Sequence, residues 1–70
     1  MNLTKALLGK EYTVKGIHTE DEELDTFLFS LGCFSGEPIT VMSKLRGAYV
    51  VAIKNARYTI DSNLAEAISI

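Results

Sequence analysis

The chain has 70 residues, a net charge of −2, 47% hydrophobic and 23% charged residues. That length makes one domain, residues 1–70, with a single core burying roughly 60% of the unfolded surface, and the apolar fraction excludes disorder. The seven basic residues are scattered while five of the nine acids lie in Glu20–Asp25, which excludes a nucleic-acid-binding surface.

Leu3 to Leu8 reads as a short helical turn, with Leu3, Ala6 and Leu7 on one side and Gly9 ending it. Lys10 to His18 reads as a strand in which Tyr12 and Val14 alternate. Gly16 allows a bulge there that brings Ile17 onto the same face. Thr19 fits an N-cap, Thr19 and Glu22 have the spacing of a capping box, and the acids that follow complement the helix dipole. The helix runs to about Leu31, with Leu24, Phe27, Leu28 and Leu31 as one apolar stripe at i, i+3, i+4 and i+7. Gly32 stands where a left-handed cap is needed, and Ser35-Gly36 supplies a second bend.

Three strands follow. Pro38 to Lys44 alternates, with Ile39 and Val41 on one face and Thr40, Met42 and Lys44 on the other. Tyr49 to Lys54 is nearly all apolar, as in a strand covered on both faces. Arg57 to Asp61 alternates through Tyr58 and Ile60. The Leu45–Ala48 and Asn55-Ala56 connections read as hairpins, with Asn55 at positive φ. Asp61-Ser62-Asn63 caps one helical turn through Glu66, and Ile68 and Ile70 form a last strand that must pair with an early one. Five short strands and one inserted helix predict a mostly β protein, a small barrel whose closure protects its edges.

Little in the chain carries chemistry. His18 with Glu20, Asp21, Glu22, Glu23 and Asp25 gathers ligand types, but the spacing matches no required geometry. It reads as a solvated helix start, with a weak divalent-metal site at His18, Glu20 and Glu22 as the alternative. The single cysteine, Cys33, forms no internal disulfide and has no histidine near it in sequence to activate it. The glycines lack phosphate-cradling spacing. No enzyme and no cofactor are expected. Neither a membrane-spanning run of about 20 apolar residues nor a signal-peptide h-region is present, so a cytoplasmic protein is expected. Phe29 lies outside the apolar stripe and Phe34 lies in the turn beyond Gly32. With Leu28 and Cys33, and with Met42 on the outer face of its strand, they make the candidate partner-binding surface.

These residues carry a resemblance. Leu28, Leu31-Gly32, Gly36, Ile39 and Val41 resemble the L-x-x-L-G-x-x-P-G-x-x-I-x-V core of the FeoA family, with Ser35 where that pattern has proline. Leu7-Leu8-Gly9 with Tyr12, Val14 and Ile17 resembles its opening, Gly47, Val51 and Ile53 its centre, and Ala65, Ile68 and Ile70 its close. The resemblance implies an SH3-like five-stranded barrel with one α-helix inserted after the first strand. It implies a cytosolic accessory protein of bacterial ferrous iron transport whose partner is the cytoplasmic domain of a FeoB-type membrane GTPase. The membrane is then reached only through that transporter, and a weak homodimer is compatible. The alternative it implies is a divalent-metal-binding or sensing domain related to the C-terminal module of iron-dependent repressors.

Overall fold

The computed structural model describes residues 1–70. A 3₁₀ turn, Leu3–Lys5, opens the chain, with Asn2 as its cap: the Asn2 carboxamide oxygen accepts from the Thr4 amide and hydroxyl. Six strands and two helices follow: β1 (Glu11–Thr13), β2 (Gly16–Ile17), α1 (Glu22–Ser30), β3 (Pro38–Leu45), β4 (Ala48–Ile53), β5 (Ala56–Asp61), α2 (Ser62–Ala67) and β6 (Ile68–Ser69). The strands form a four-stranded antiparallel sheet in the order β1-β3-β4-β5 and a two-stranded ladder, β2-β6. The mostly β, SH3-like layout is as expected, but its strands form two sheets rather than one closed five-stranded barrel.

The expected Lys10–His18 strand is two strands. Val14 and Lys15 turn the chain out of the first sheet: the Val14 amide donates to the Glu37 carbonyl and the Lys15 amide to the Ser69 carbonyl. One run of sequence thus pairs with β3 at one end and with the C-terminus at the other. The close of the chain is held as its two isoleucines require. Ile17 pairs with Ile68, and the Ile70 amide donates to the Met1 carbonyl.

Alternation fills the core. Ile39, Val41, Val51, Ile53 and Ile60 point inward from β3, β4 and β5, and meet Leu3, Ala6, Val14, Leu64, Ala65, Ile68 and Ile70. The sheet is covered on this one face only. Val50 and Ala52 on the other face of β4 are half-exposed, so the apolar run of that strand does not mark a doubly covered strand. A bulge in β3 changes the predicted faces. Val41 pairs with Val51, the next pair is Ser43 with Val50, and Met42 is the extra residue between them. One added residue reverses the parity of everything after it. Lys44, expected beside Thr40 and Met42, therefore lies over the Tyr49 ring at 5.8 Å and donates to the Thr4 carbonyl at 3.0 Å.

Both hairpins have two-residue turns. They centre on Arg46-Gly47 and on Lys54-Asn55, and positive φ falls on Lys54 (+57°) rather than on Asn55. Helix α2 starts on Asp61, whose carboxylate accepts from the Leu64 amide at 2.9 Å, as the sequence indicates. In α1 the cap is Asp21, not Thr19. The Asp21 carboxylate accepts from Glu23 and Leu24, while Thr19 Oγ1 accepts from the Asp21 amide and fixes the approach. Two polar residues with one between them competed for one role, and the carboxylate, the better acceptor for helix amides, holds it. Leu7, expected on the buried side of the first turn, is exposed because that turn is three residues long and leaves the core after Ala6.

Candidate functional site

Helix α1 docks along a narrow strip. Leu28 is 1% exposed, Leu24 and Leu31 are half-buried, and the other residues face outward. Phe27 was expected in the stripe and is 44% exposed. At about 100° per residue it stands a quarter-turn from Leu28, and a nine-residue helix seated on one leucine buries no wider arc.

The helix ends in a full Schellman motif. The Gly32 amide donates to the Phe29 carbonyl at 3.0 Å and the Cys33 amide to the Leu28 carbonyl at 2.9 Å, with Gly32 at φ +87°. This motif brings together the apolar residues at its two ends, here Leu28 and Cys33, and both are buried in the one core cluster. That corrects two members of the expected partner-binding set: Leu28 and Cys33 present no side chain to a partner. Burial also pushes the Cys33 thiol up to about 11. Between its ordinary 9.0 and about 11 the folded chain holds a proton that the unfolded chain releases, so stability falls as pH rises through that window. Urea melts taken from neutral pH to about 11 should show this fall, with a shallower slope in Cys33→Ala; equal slopes would mean that other groups cause it.

What remains exposed at this end is aromatic. Phe29 is 66% exposed and its ring lies 5.0 Å from that of half-buried Phe34, tilted by 34°. Lys54, reaching over from the β4–β5 turn, places Nζ 5.3 Å from the Phe34 ring centre. Its stem fills the space a side chain at Gly32 would need, with Cε 3.2 Å from that position. The last turn of α1 has no basic residue of its own. Lys54 brings a cation to that end, where the helix dipole favours one. Sequence spacing does not reveal Lys54, which is 20 or more residues from both aromatics.

The opposite end of α1 is acidic. Asp21, Glu22, Glu23 and Asp25 surround its start, and Glu22, Glu23, Thr26, Phe27 and Ser30 line the only concavity, an open depression along the helix. His18, Glu20 and Glu22 are exposed and form no ligand cluster: nowhere do three His, Cys, Asp or Glu side chains converge. A resident divalent ion therefore does not fit the residues present. Met42, 37% exposed, lies apart from the stack at the β3 bulge, beside the Leu7-Leu8-Gly9 loop whose Gly9 amide donates to the Val41 carbonyl. Leu7, Leu8 and Leu45 are exposed too, single apolar side chains that sequence spacing does not mark as surface. No helix is long and apolar enough to cross a membrane.

A four-stranded sheet, a two-stranded ladder of β2 with the C-terminal β6 and a helix carrying an aromatic cap define a small SH3-like β domain. The chain belongs to the FeoA domain family, whose profile matches residues 1–70. None of the curated proteins compared with it matches. Among solved structures it is similar to a manganese-dependent transcriptional repressor, at 26% identity and a TM-score of 0.88. That match covers 97% of this chain and 39% of the repressor. It is similar to the FeoA of Stenotrophomonas maltophilia, an SH3-domain protein solved in complex with zinc: 18% identity, TM-score 0.86, 99% of this chain and 87% of that one. Iron(II) transport protein A of Clostridium thermocellum gives 24% identity and a TM-score of 0.89 over 99% of this chain and 43% of that one.

Proposed function

We propose that this chain is an accessory protein of bacterial ferrous iron uptake that docks on the cytoplasmic part of a FeoB-type transporter through the C-terminal end of α1. The observation that carries this reading is the Phe29–Phe34 stack, left exposed by a domain of the FeoA family. A 70-residue chain has few aromatics to spare from its core, and Phe29 contributes almost nothing to that core. Exposed aromatics with a cation beside them are the usual anchors of a protein contact. The transport proteins of similar fold support the same direction: the Stenotrophomonas FeoA has been put forward as an activating factor of ferrous iron transport. In this reading the chain performs no chemistry. It supplies a modest apolar contact that alters the assembly or nucleotide turnover of its partner.

An NMR titration with the isolated cytoplasmic domain of the transporter tests it. The amides of Phe29, Phe34 and Lys54 should shift, and Phe29→Glu should weaken binding at least about tenfold, the loss expected when an anchor residue is replaced by a charge. No shifts in that region at near-millimolar partner would sink the proposal.

The likeness to the manganese-dependent repressor supports a second reading, direct response to a divalent ion through His18, Glu20 and Glu22. Those side chains do not converge, so this reading has less behind it. Manganese or ferrous titration at tens of micromolar should leave the His18 resonances unmoved; saturable shifts lost in His18→Ala would reverse the preference.

A further inference from the structure

Strand β5 is an open edge. It pairs with β4 on one side and with no strand on the other. Open edges are ordinarily blunted by proline, a bulge or a very short strand. Here six residues pair without a break in register, and neither a proline nor a bulge interrupts them. The two-residue turn makes Ile53 and Ala56 a hydrogen-bonded pair, so Ala56, Tyr58 and Ile60 direct their backbone groups to β4. Arg57 and Thr59 then direct both of theirs outward, and Asp61 its amide, because its carbonyl caps the start of α2. All three are exposed, and none of their amides is used by a turn, loop or cap.

The sequence of this edge is complementary to itself when reversed. We propose that β5 pairs with β5 of a second copy of this chain, antiparallel about a two-fold axis at Thr59, joining two four-stranded sheets into one of eight. About that axis Arg57 lies opposite Asp61 of the second copy, and Asp61 lies opposite its Arg57. The two Thr59 residues exchange their backbone hydrogen bonds, and Tyr58 at the margin of the core faces Ile60 of the other copy. The charges select this register. Centring the pair on Arg57 or on Asp61 opposes like charges, and centring it on Tyr58 or Ile60 leaves both charges unmatched. The groups are free to pair. The Arg57 guanidinium takes part in none of the side-chain hydrogen bonds of the fold, and the Asp61 carboxylate uses only Oδ1, for the Leu64 amide. Pairing of this kind needs only a short, straight edge and matched charges, and it is independent of the α1 surface.

Sedimentation velocity from micromolar to millimolar chain, with hydrogen exchange over the same series, tests the pairing. A dimer weakened by added salt is expected. Arg57→Asp, which opposes two pairs of acids, should weaken it by about tenfold, whereas Lys5→Glu on the opening turn should not. The Thr59 and Asp61 amides should exchange more slowly as concentration rises, and the Tyr58 amide, already bonded to β4, should not change. A monomer at millimolar concentration, a dimer indifferent to Arg57→Asp, or concentration-dependent protection elsewhere than β5 would overturn the inference. Protection of Thr59 only when another protein is added would overturn it too, by assigning the edge to an extended peptide.

Discussion

Leu28→Ala is expected to cost about 3 kcal/mol, the middle of the range for a fully buried leucine. Leu28 is the one residue of α1 that is wholly buried, and it packs with Cys33, whose amide it also receives. Removing its isobutyl group takes away the contact that seats the helix and opens a cavity under the Schellman turn. A domain of this size has about 5 kcal/mol in total, so the variant should melt on the order of 15 °C lower and be close to unfolded in mild urea. Urea denaturation measures the change directly, and the m-value should hold if the transition stays two-state. A loss under about 1 kcal/mol would mean that α1 is an appendage and that the sheet folds without it. The two outcomes differ for function as well, because a loosened helix would unstack Phe29 from Phe34.

The same leucine shows where sequence reading stops. Periodicity places Leu24, Leu28 and Leu31 on one face, and all three do dock. It also places Phe27 there, since the pattern reports direction around a helix but not how wide an arc the protein covers. A helix lying across a broad sheet buries the whole stripe, whereas α1 rests on one strip and leaves Phe27 beside its acids. Leu28 and Cys33 could have been withdrawn from the candidate surface on sequence grounds. An apolar residue four before a capping glycine and another just after it are the two ends of the Schellman contact. Lys54 could not have been added, because only the β4–β5 turn carries it to Phe34.

The strands divide in the same way. Every strand lies near its expected place, since two-residue periodicity and turn residues are local signals. The bulge at Met42 is not local: it records the fit of β3 to β4, and no residue type there demands it. Its effect is large all the same. Lys44, still exposed, turns to the Thr4 carbonyl and the Tyr49 ring, and Leu45 comes out on the other face. The division of the first strand between two sheets is likewise decided by the C-terminal residues that Lys15, Gly16 and Ile17 meet.

Gly32→Ala is expected to cost about 2 kcal/mol and Gly36→Ala about 1 kcal/mol, and the difference locates the aromatic site. Both glycines hold positive φ, +87° and +93°, where a Cβ is strained by roughly 1–2 kcal/mol, partly offset by a stiffer unfolded chain. A Cβ at Gly36 meets nothing within 4 Å, so that variant reports the backbone alone. A Cβ at Gly32 meets Lys54 Cε at 3.2 Å and Ile53 Cγ2 at 3.5 Å. The lysine stem can swing away, but doing so removes its ammonium from the Phe34 ring. Gly32→Ala should therefore shift the Phe34 ring resonances, while Gly36→Ala leaves them in place. In a Lys54→Ala background the two alanine variants should converge, a coupling that a double-mutant cycle measures. Equal costs in the native background would show that Lys54 does not pack on Gly32, and the cation would then have to be removed from the candidate surface. A cost confined to Gly32 makes the cap, the lysine and the aromatic pair one unit, so that the residue ending the helix also shapes the face offered to a partner.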